Sequence, residues 1–176
     1  MKNVLRITTS IVGDGSVSTQ LINELTSALS DIEEINLIER DFAEQPIPHL
    51  DSAWLTALST PEVERDQEQQ QKVSYSNGLI DELQSADILV IGLPMYNFSM
   101  PSMLKAWIDH VTRAGVTFSY TEKGPVGLLQ DKKVYLVAAM GGEHEAGVSD
   151  FLRPYMKLIL SFIGLDDVQC ITADGL

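Results

Sequence analysis

Asp87-Ile88-Leu89-Val90-Ile91-Gly92-Leu93 is the stretch whose reading decides the fold, and Pro94-Met95-Tyr96-Asn97-Phe98-Ser99-Met100-Pro101 follows it directly. From Ile88 to Leu93 no polar side chain interrupts the run. A strand without polar alternation is buried on both faces, which is the habit of a central parallel strand. Working outward, Val4–Thr8 reads as a first strand, Glu34–Ile38 as a second, Lys133–Ala139 as a further buried strand and Val168–Thr172 as a last one. Between them lie helical spacings. Thr19–Leu29 carries Leu21, Ile22, Leu25, Ala28 and Leu29 on one side. Glu62–Leu83 reads as one long helix, Pro101–Val111 as another with Pro101 near its first turn, and Asp150–Ile163 as the last. Asp41–Pro61 holds three prolines and reads as loop, with a short helix near Trp54. The β-α alternation predicts an α/β fold: a doubly wound, five-stranded parallel sheet with helices on both faces and one domain over 1–176, for which 2-1-3-4-5 is one of the two common strand orders.

Composition narrows the function classes. The chain has 176 residues, 44% hydrophobic and 21% charged, the profile of a globular protein with room for its own core. A formal net charge of −13 argues against a nucleic acid partner, since such binding rests on Lys and Arg neutralising phosphates. No apolar run approaches a membrane span, and Met1-Lys2-Asn3 leads into an apolar stretch too brief for a signal peptide, so the expected compartment is the cytoplasm. The only cysteine is Cys170, and His49, His110 and His144 are scattered, so no metal site is expected.

In a sheet of this kind ligands bind beyond the carboxyl ends of the strands, where the strand order reverses. Three loops reach that point. The first, Ser10-Ile11-Val12-Gly13-Asp14-Gly15-Ser16-Val17-Ser18, leads into a helix and contains no Lys or Arg. It can bind a phosphate through helix N-terminal N–H groups with Ser16 and Ser18 as further donors, or it can be a helix cap made by Ser18 or Thr19. Gly13-x-Gly15-x-x-Ser18, followed by Glu39 and Asp41, is a near-match to a dinucleotide fingerprint that lacks its third glycine. The second loop carries Tyr96 and Phe98, whose aromatic faces suit a flat heteroaromatic ring, and Asn97 offers both a donor and an acceptor. Tyr96 and Phe98 plugging the core is the other reading. The third loop, Ala139-Met140-Gly141-Gly142-Glu143-His144, has paired glycines that let backbone lie against a ligand, or that form a flexible turn. Two other functions of such sheets fall away. A phosphatase of this architecture needs a Cys in the first loop, and a phospho-acceptor receiver needs acids where this chain has Thr8, Thr9 and Pro94.

Pro94-Met95-Tyr96-Asn97-Phe98, Lys105 with Asp109, and Arg113-Ala114-Gly115-Val116-Thr117-Phe118-x-Tyr120-Thr121-Glu122-x-Gly124-Pro125-x-Gly127-Leu128 together resemble the FMN-dependent NADH-azoreductase family, part of the NAD(P)H-quinone oxidoreductase group with a flavodoxin-like fold. The resemblance extends to Pro46-Ile47-Pro48, Phe162-Ile163-Gly164 and Ala173-Asp174-Gly175, and so spans nearly the whole chain. It implies FMN as cofactor, with Ser10, Ser16, Val17 and Ser18 around the phosphate, Met95, Tyr96, Asn97 and Phe98 against the isoalloxazine and ribityl, and Ala139, Met140, Gly141 and Gly142 at the ring's pyrimidine side. The family's polar run in that last loop is Ala139-Met140 here.

The same resemblance implies two-electron, ping-pong transfer from NADH (NADPH possible) through FMN to quinones or azo compounds. Asn97, Tyr120 and His144 then act on the substrate. It also implies a homodimer with the active site at the interface, where Phe118, Tyr120 and Phe162 form a substrate wall partly supplied by the second copy. Phe118 and Phe162 as ordinary core residues is the alternative. Family members continue into a final helix after the last strand; this chain ends at Leu176, so that C-terminal helix is expected to be missing. A one-electron flavodoxin-type carrier and a non-catalytic flavin-binding protein are the competing functions.

Overall fold

The computed structural model describes residues 1–176. In chain order it runs β1 (Lys2–Thr8), α1 (Val17–Ile32), β2 (Ile35–Asp41), α2 (Ser52–Ser59), α3 (Gln67–Ser85), β3 (Ile88–Pro94), α4 (Ser102–Val111), β4 (Phe118–Thr121), β5 (Gly124–Gly127), β6 (Lys133–Ala139), α5 (Leu152–Phe162) and β7 (Asp167–Ala173). The five long strands form one sheet in the order β2-β1-β3-β6-β7, every pair parallel. With the β4–β5 hairpin set aside, this is the expected 2-1-3-4-5 order. No helix is long and apolar enough to cross a membrane.

All seven residues of β3 are buried, as the unbroken apolar run requires of the middle strand. Alternate residues supply two cores. Leu5, Ile7, Leu89, Ile91, Leu93, Val134 and Leu136 meet the apolar sides of α3, α4 and α5, with Trp107 fully enclosed among them. Val4, Val90 and Val137 face the other way, under Ile22 of α1. Each such side chain contributes about 1.5–3 kcal/mol by leaving water. Gly92 lets α1 lie close to the sheet: a Cβ there would stand 3.1 Å from Ile22 Cδ1 and 3.4 Å from the Ser18 carbonyl oxygen.

Two elements differ from expectation. The long helix begins at Gln67 rather than Glu62, because Asp66 closes a capping box: its carboxylate accepts from Gln69 N–H at 2.8 Å, and the Gln69 side chain accepts from Asp66 N–H at 3.0 Å. Glu62–Glu64 forms only a short 3-10 turn ahead of it. The β4–β5 hairpin has no counterpart in the sequence reading. It docks backbone to backbone on the end of α5. Leu129 N–H donates to the Ile163 carbonyl at 2.9 Å, and a Cβ on Gly127 would fall 2.0 Å from the Gly164 nitrogen.

His110 ties the long 42–51 connection to the helices. It is fully buried near the end of α4, with Trp54 and Tyr75 packed edge-on against its ring at 4.6 and 5.5 Å between centroids. Its Nε2 lies 2.8 Å from the Pro48 carbonyl, which only accepts, so Nε2 carries the proton; Nδ1 accepts from the Ser76 hydroxyl at 2.7 Å. Burial holds the imidazole pKa below its ordinary 6.5, ahead of the opposing pull of the Pro48 bond and Asp109. Between the folded and unfolded pKa values the unfolded chain binds more protons, so stability is full above about pH 6.5 and falls as the pH drops through that window. Urea unfolding of His110→Gln is expected to lose that part of the slope between pH 7.5 and 5, while the parent protein retains it; parallel pH profiles would refute the assignment.

Candidate functional site

β1 and β3 are adjacent and parallel, so the loops after them open at the same sheet end, and Thr9 joins them by donating its hydroxyl to the Gly92 carbonyl at 2.7 Å. Ser10, fully buried, shares a 2.9 Å hydrogen bond with the Tyr96 hydroxyl of the next loop; Val12 N–H donates to Ser10 Oγ and Ile11 N–H to the Tyr96 oxygen. The first two loops are therefore one hydrogen-bonded unit.

Gly13–Gly15 makes a single 3-10 turn, and Ser16 occupies the cap position of α1. Its hydroxyl does not cap. It pairs with Ser18 Oγ at 2.9 Å, while Ser18 and Thr19 are already inside the helix and cap nothing. The N–H groups of Val17, Ser18 and Thr19 find no acceptor, and Thr19 Oγ1 is buried without a partner. Unsatisfied donors at a helix start, carrying the positive end of its dipole, can take an anion without any basic side chain. Arg6 is engaged with Glu39.

The second loop reverses in two residues. Tyr96 N–H donates to the Ser99 carbonyl at 2.8 Å and Ser99 N–H to the Tyr96 carbonyl at 3.0 Å. The two central residues take φ of 50° (Asn97) and 65° (Phe98), as type I′ turns require at both positions. Asparagine tolerates this backbone; for phenylalanine it costs about 1–2 kcal/mol. The strain leaves the Phe98 ring 59% exposed at the sheet end rather than in the core. Met95 is half-buried, its N–H held by the Ala139 carbonyl at 2.9 Å.

The third loop meets the second where Phe98 and His144 touch edge to face, ring centroids 5.7 Å apart. Gly141 and Gly142 lie between the end of β6 and His144, and a Cβ on Gly142 would be 3.5 Å from His144 Nε2. The Met140 side chain is buried in the main core and its N–H donates to the Ala173 carbonyl, so it supports the loop from below. Ala139, also buried, is the last residue of β6.

Phe118, Tyr120 and Phe162 also cluster, Phe118 lying 4.5 Å from Phe162 and 5.4 Å from Tyr120 between ring centroids. They are not with the loops above. Phe118 precedes β6 and Phe162 ends α5 just ahead of β7, so both belong to the end of the sheet where the strands begin, roughly 20 Å of strand away. Phe118 is buried and Tyr120 is 74% exposed. A depression of about 860 Å³ lies at that same far end among Lys2, Asp87, Lys132, Lys133 and Asp167, with few hydrophobic residues in its lining.

Two contributions were not read from the sequence. Thr19 carried a signal, a third hydroxyl in the first helical turn. Arg153, which holds the third loop, carried only its i,i+3 spacing to Asp150.

The model of the flavodoxin-like fold family matches residues 2–176. An FMN-dependent NADH:quinone oxidoreductase of Cellvibrio japonicus (strain Ueda107) is 47% identical over 177 residues, covering 100% of this chain and 89% of the relative. One of Herminiimonas arsenicoxydans, with the same name, is 48% identical over 182 residues, covering 99% and 88%. Among solved structures, an FMN-dependent NADH-azoreductase from Bacillus anthracis str. Ames Ancestor in complex with FMN superposes with a TM-score of 0.89 at 26% identity, covering 98% of this chain and 87% of that one.

Replacing Phe98 by glycine relieves the left-handed backbone at the turn. Phe98→Gly and Phe98→Ala both lose the ring contact with His144, so thermal unfolding of Phe98→Gly is expected about 2–4 °C above that of Phe98→Ala, the equivalent of about 1 kcal/mol at this size. Equal midpoints would mean that the turn carries no strain.

Proposed function

The chain belongs to the flavodoxin-like fold family, and on that premise we propose that it is an FMN-dependent NADH:quinone oxidoreductase, able also to reduce azo compounds. The observation that carries the reading is the convergence of the uncapped start of α1 with the strained Asn97–Phe98 turn, joined by the Ser10–Tyr96 hydrogen bond. An anion held at the first and a flat ring laid against the second are the two ends of one FMN molecule. The unsatisfied N–H donors of Val17, Ser18 and Thr19 fit its phosphate.

FMN when bound supplies the redox chemistry, accepting a hydride from NADH and returning two electrons to the acceptor. The residues position it. Ser10, Ser16 and Ser18 would hold the phosphate together with the N–H of Val17, and Met95, Tyr96, Asn97 and Phe98 would hold ring and ribityl. The backbone N–H groups of Gly141 and Gly142 would stabilise negative charge on the ring. Asn97 would orient the substrate, and His144 would supply a proton to it. NADH and acceptor use one place in turn, which gives ping-pong kinetics.

The working unit in this reading is a homodimer. Phe118, Tyr120 and Phe162 lie a strand length from the loops of their own chain, so they wall the substrate site only by reaching across from a second copy. Cytoplasm, with its supply of NADH, is the compartment that goes with this activity.

Anaerobic addition of NADH to FMN-reconstituted protein is expected to bleach the oxidised flavin band, and benzoquinone to restore it. Absence of bleaching would end the reductase reading. Tyr96→Phe removes the bond to Ser10, and fluorescence titration is expected to show FMN binding weakened about 3–10-fold, in line with one neutral hydrogen bond. Asn97→Ala is expected to lower quinone turnover; unchanged turnover would remove Asn97 from the site.

A further inference from the structure

Loop 141–149 has no secondary structure of its own that reaches His144, yet its backbone is pinned at every turn. The Glu145 carbonyl accepts from the N–H groups of Val148, Ser149 and Asp150 at 2.9–3.1 Å, and Gly147 N–H donates to the Asp150 carbonyl at 2.9 Å. This folded knot ends at Asp150, whose side chain is fully buried. Phe151, at the cap position of α5, makes no side-chain cap. Asp150 does so instead, its Oδ1 accepting from Leu152 N–H at 2.9 Å and Arg153 N–H at 3.1 Å.

The Arg153 guanidinium turns back over that cap and uses all three of its nitrogens. Nε donates to Asp150 Oδ2, Nη1 to Thr172 Oγ1 of β7 at 3.0 Å, and Nη2 to the His144 carbonyl at 3.2 Å. One planar group thus joins the start of α5, the last strand and the residue whose imidazole faces Phe98. The His144 ring is held at Nδ1, 3.2 Å from Ser149 Oγ, which leaves Nε2 on the side of Gly142. Burial alone would raise the Asp150 carboxyl, but the hydrogen bonds and charge of Arg153 outweigh it and hold the group below its usual range, so the pair stays ionised.

We propose that Arg153, anchored by Asp150, is the positioning residue of this site: by fixing the His144 carbonyl it sets the aim of the imidazole and the path of Gly141–Gly142. It touches neither cofactor nor substrate and acts through the loop. The proposal rests on the flavin reading given above. Lysine cannot replace it, because one ammonium on a flexible stem cannot hold three acceptors in a plane.

The test uses Asp150→Asn/Arg153→Met, in which Asn keeps a cap oxygen for α5 and no buried charge is left unpaired, together with Arg153→Lys. The first measurement is the ¹H–¹⁵N spectrum of the histidine side chains, made without flavin. The His144 ring signals are expected to shift in both variants, while those of His110, held by Ser76 and the Pro48 carbonyl, stay in place. The second is FMN affinity, expected to weaken about tenfold or more, the effect of a charge-assisted hydrogen bond. Parent-like His144 signals and parent-like affinity in either folded variant overturn the proposal. So does a loss of affinity matched by an equal shift of the His110 signals, since that is general loosening. Should the parent protein bind no FMN, the flavin reading fails by itself, and the His144 spectrum still decides whether Arg153 sets the loop.

Discussion

Burial of β3 on both faces is the constraint on which the rest depends. A strand with all seven residues enclosed cannot lie at an edge, so it needs a neighbour on each side and a helix layer above and below. β1 and β6 supply the neighbours, α1 one layer, and α3, α4 and α5 the other. Because all the strands run in parallel, the loops after β1, β3 and β6 must open at the same end. The site is a consequence of that packing before any polar residue is considered. Gly92 then sets how close α1 comes to the sheet, and so where the first turn of that helix presents its donors.

What the packing brings together, local chemistry leaves unsatisfied. The start of α1 is uncapped although three hydroxyls stand beside it, because Ser16 and Ser18 bond to each other and Thr19 Oγ1 to nothing. The following loop holds a phenylalanine in a backbone conformation that suits glycine or asparagine. A fold selected for stability alone would cap the helix and put glycine in the turn. Unsatisfied donors and local strain side by side are the signs of a surface shaped by what it binds.

The aromatic trio at the other end of the sheet belongs to a different logic. The β4–β5 hairpin is fixed to the end of α5 through two glycines in backbone contact, and this brings Phe118 to Phe162 and leaves Tyr120 outside. Within one chain the trio and the flavin loops never meet, since the length of the strands separates them.

The sequence by itself determined the strands, the helices and the three loops, because these follow from short-range patterns: an unbroken apolar run, helical spacings, and glycine, serine and proline at the turns; the strand order came with the family resemblance. It also singled out Tyr96, Asn97 and Phe98 as candidates to meet a ligand, since aromatic residues directly after a buried strand have few structural reasons to be there, while Ser10 came in only through the family resemblance. Tertiary structure alone decided the rest. That Met140 turns inward depends on whether β6 and β7 leave room beneath it, which no local pattern encodes. Whether Ser16 caps a helix or bonds to Ser18 depends on the angle at which α1 enters. The roles of His110 and Arg153 arise between residues 62, 34, 19 and 9 positions apart. Side-chain hydrogen bonds over such separations exist only once the layers have packed, so a single sequence carries no period or spacing from which to read them.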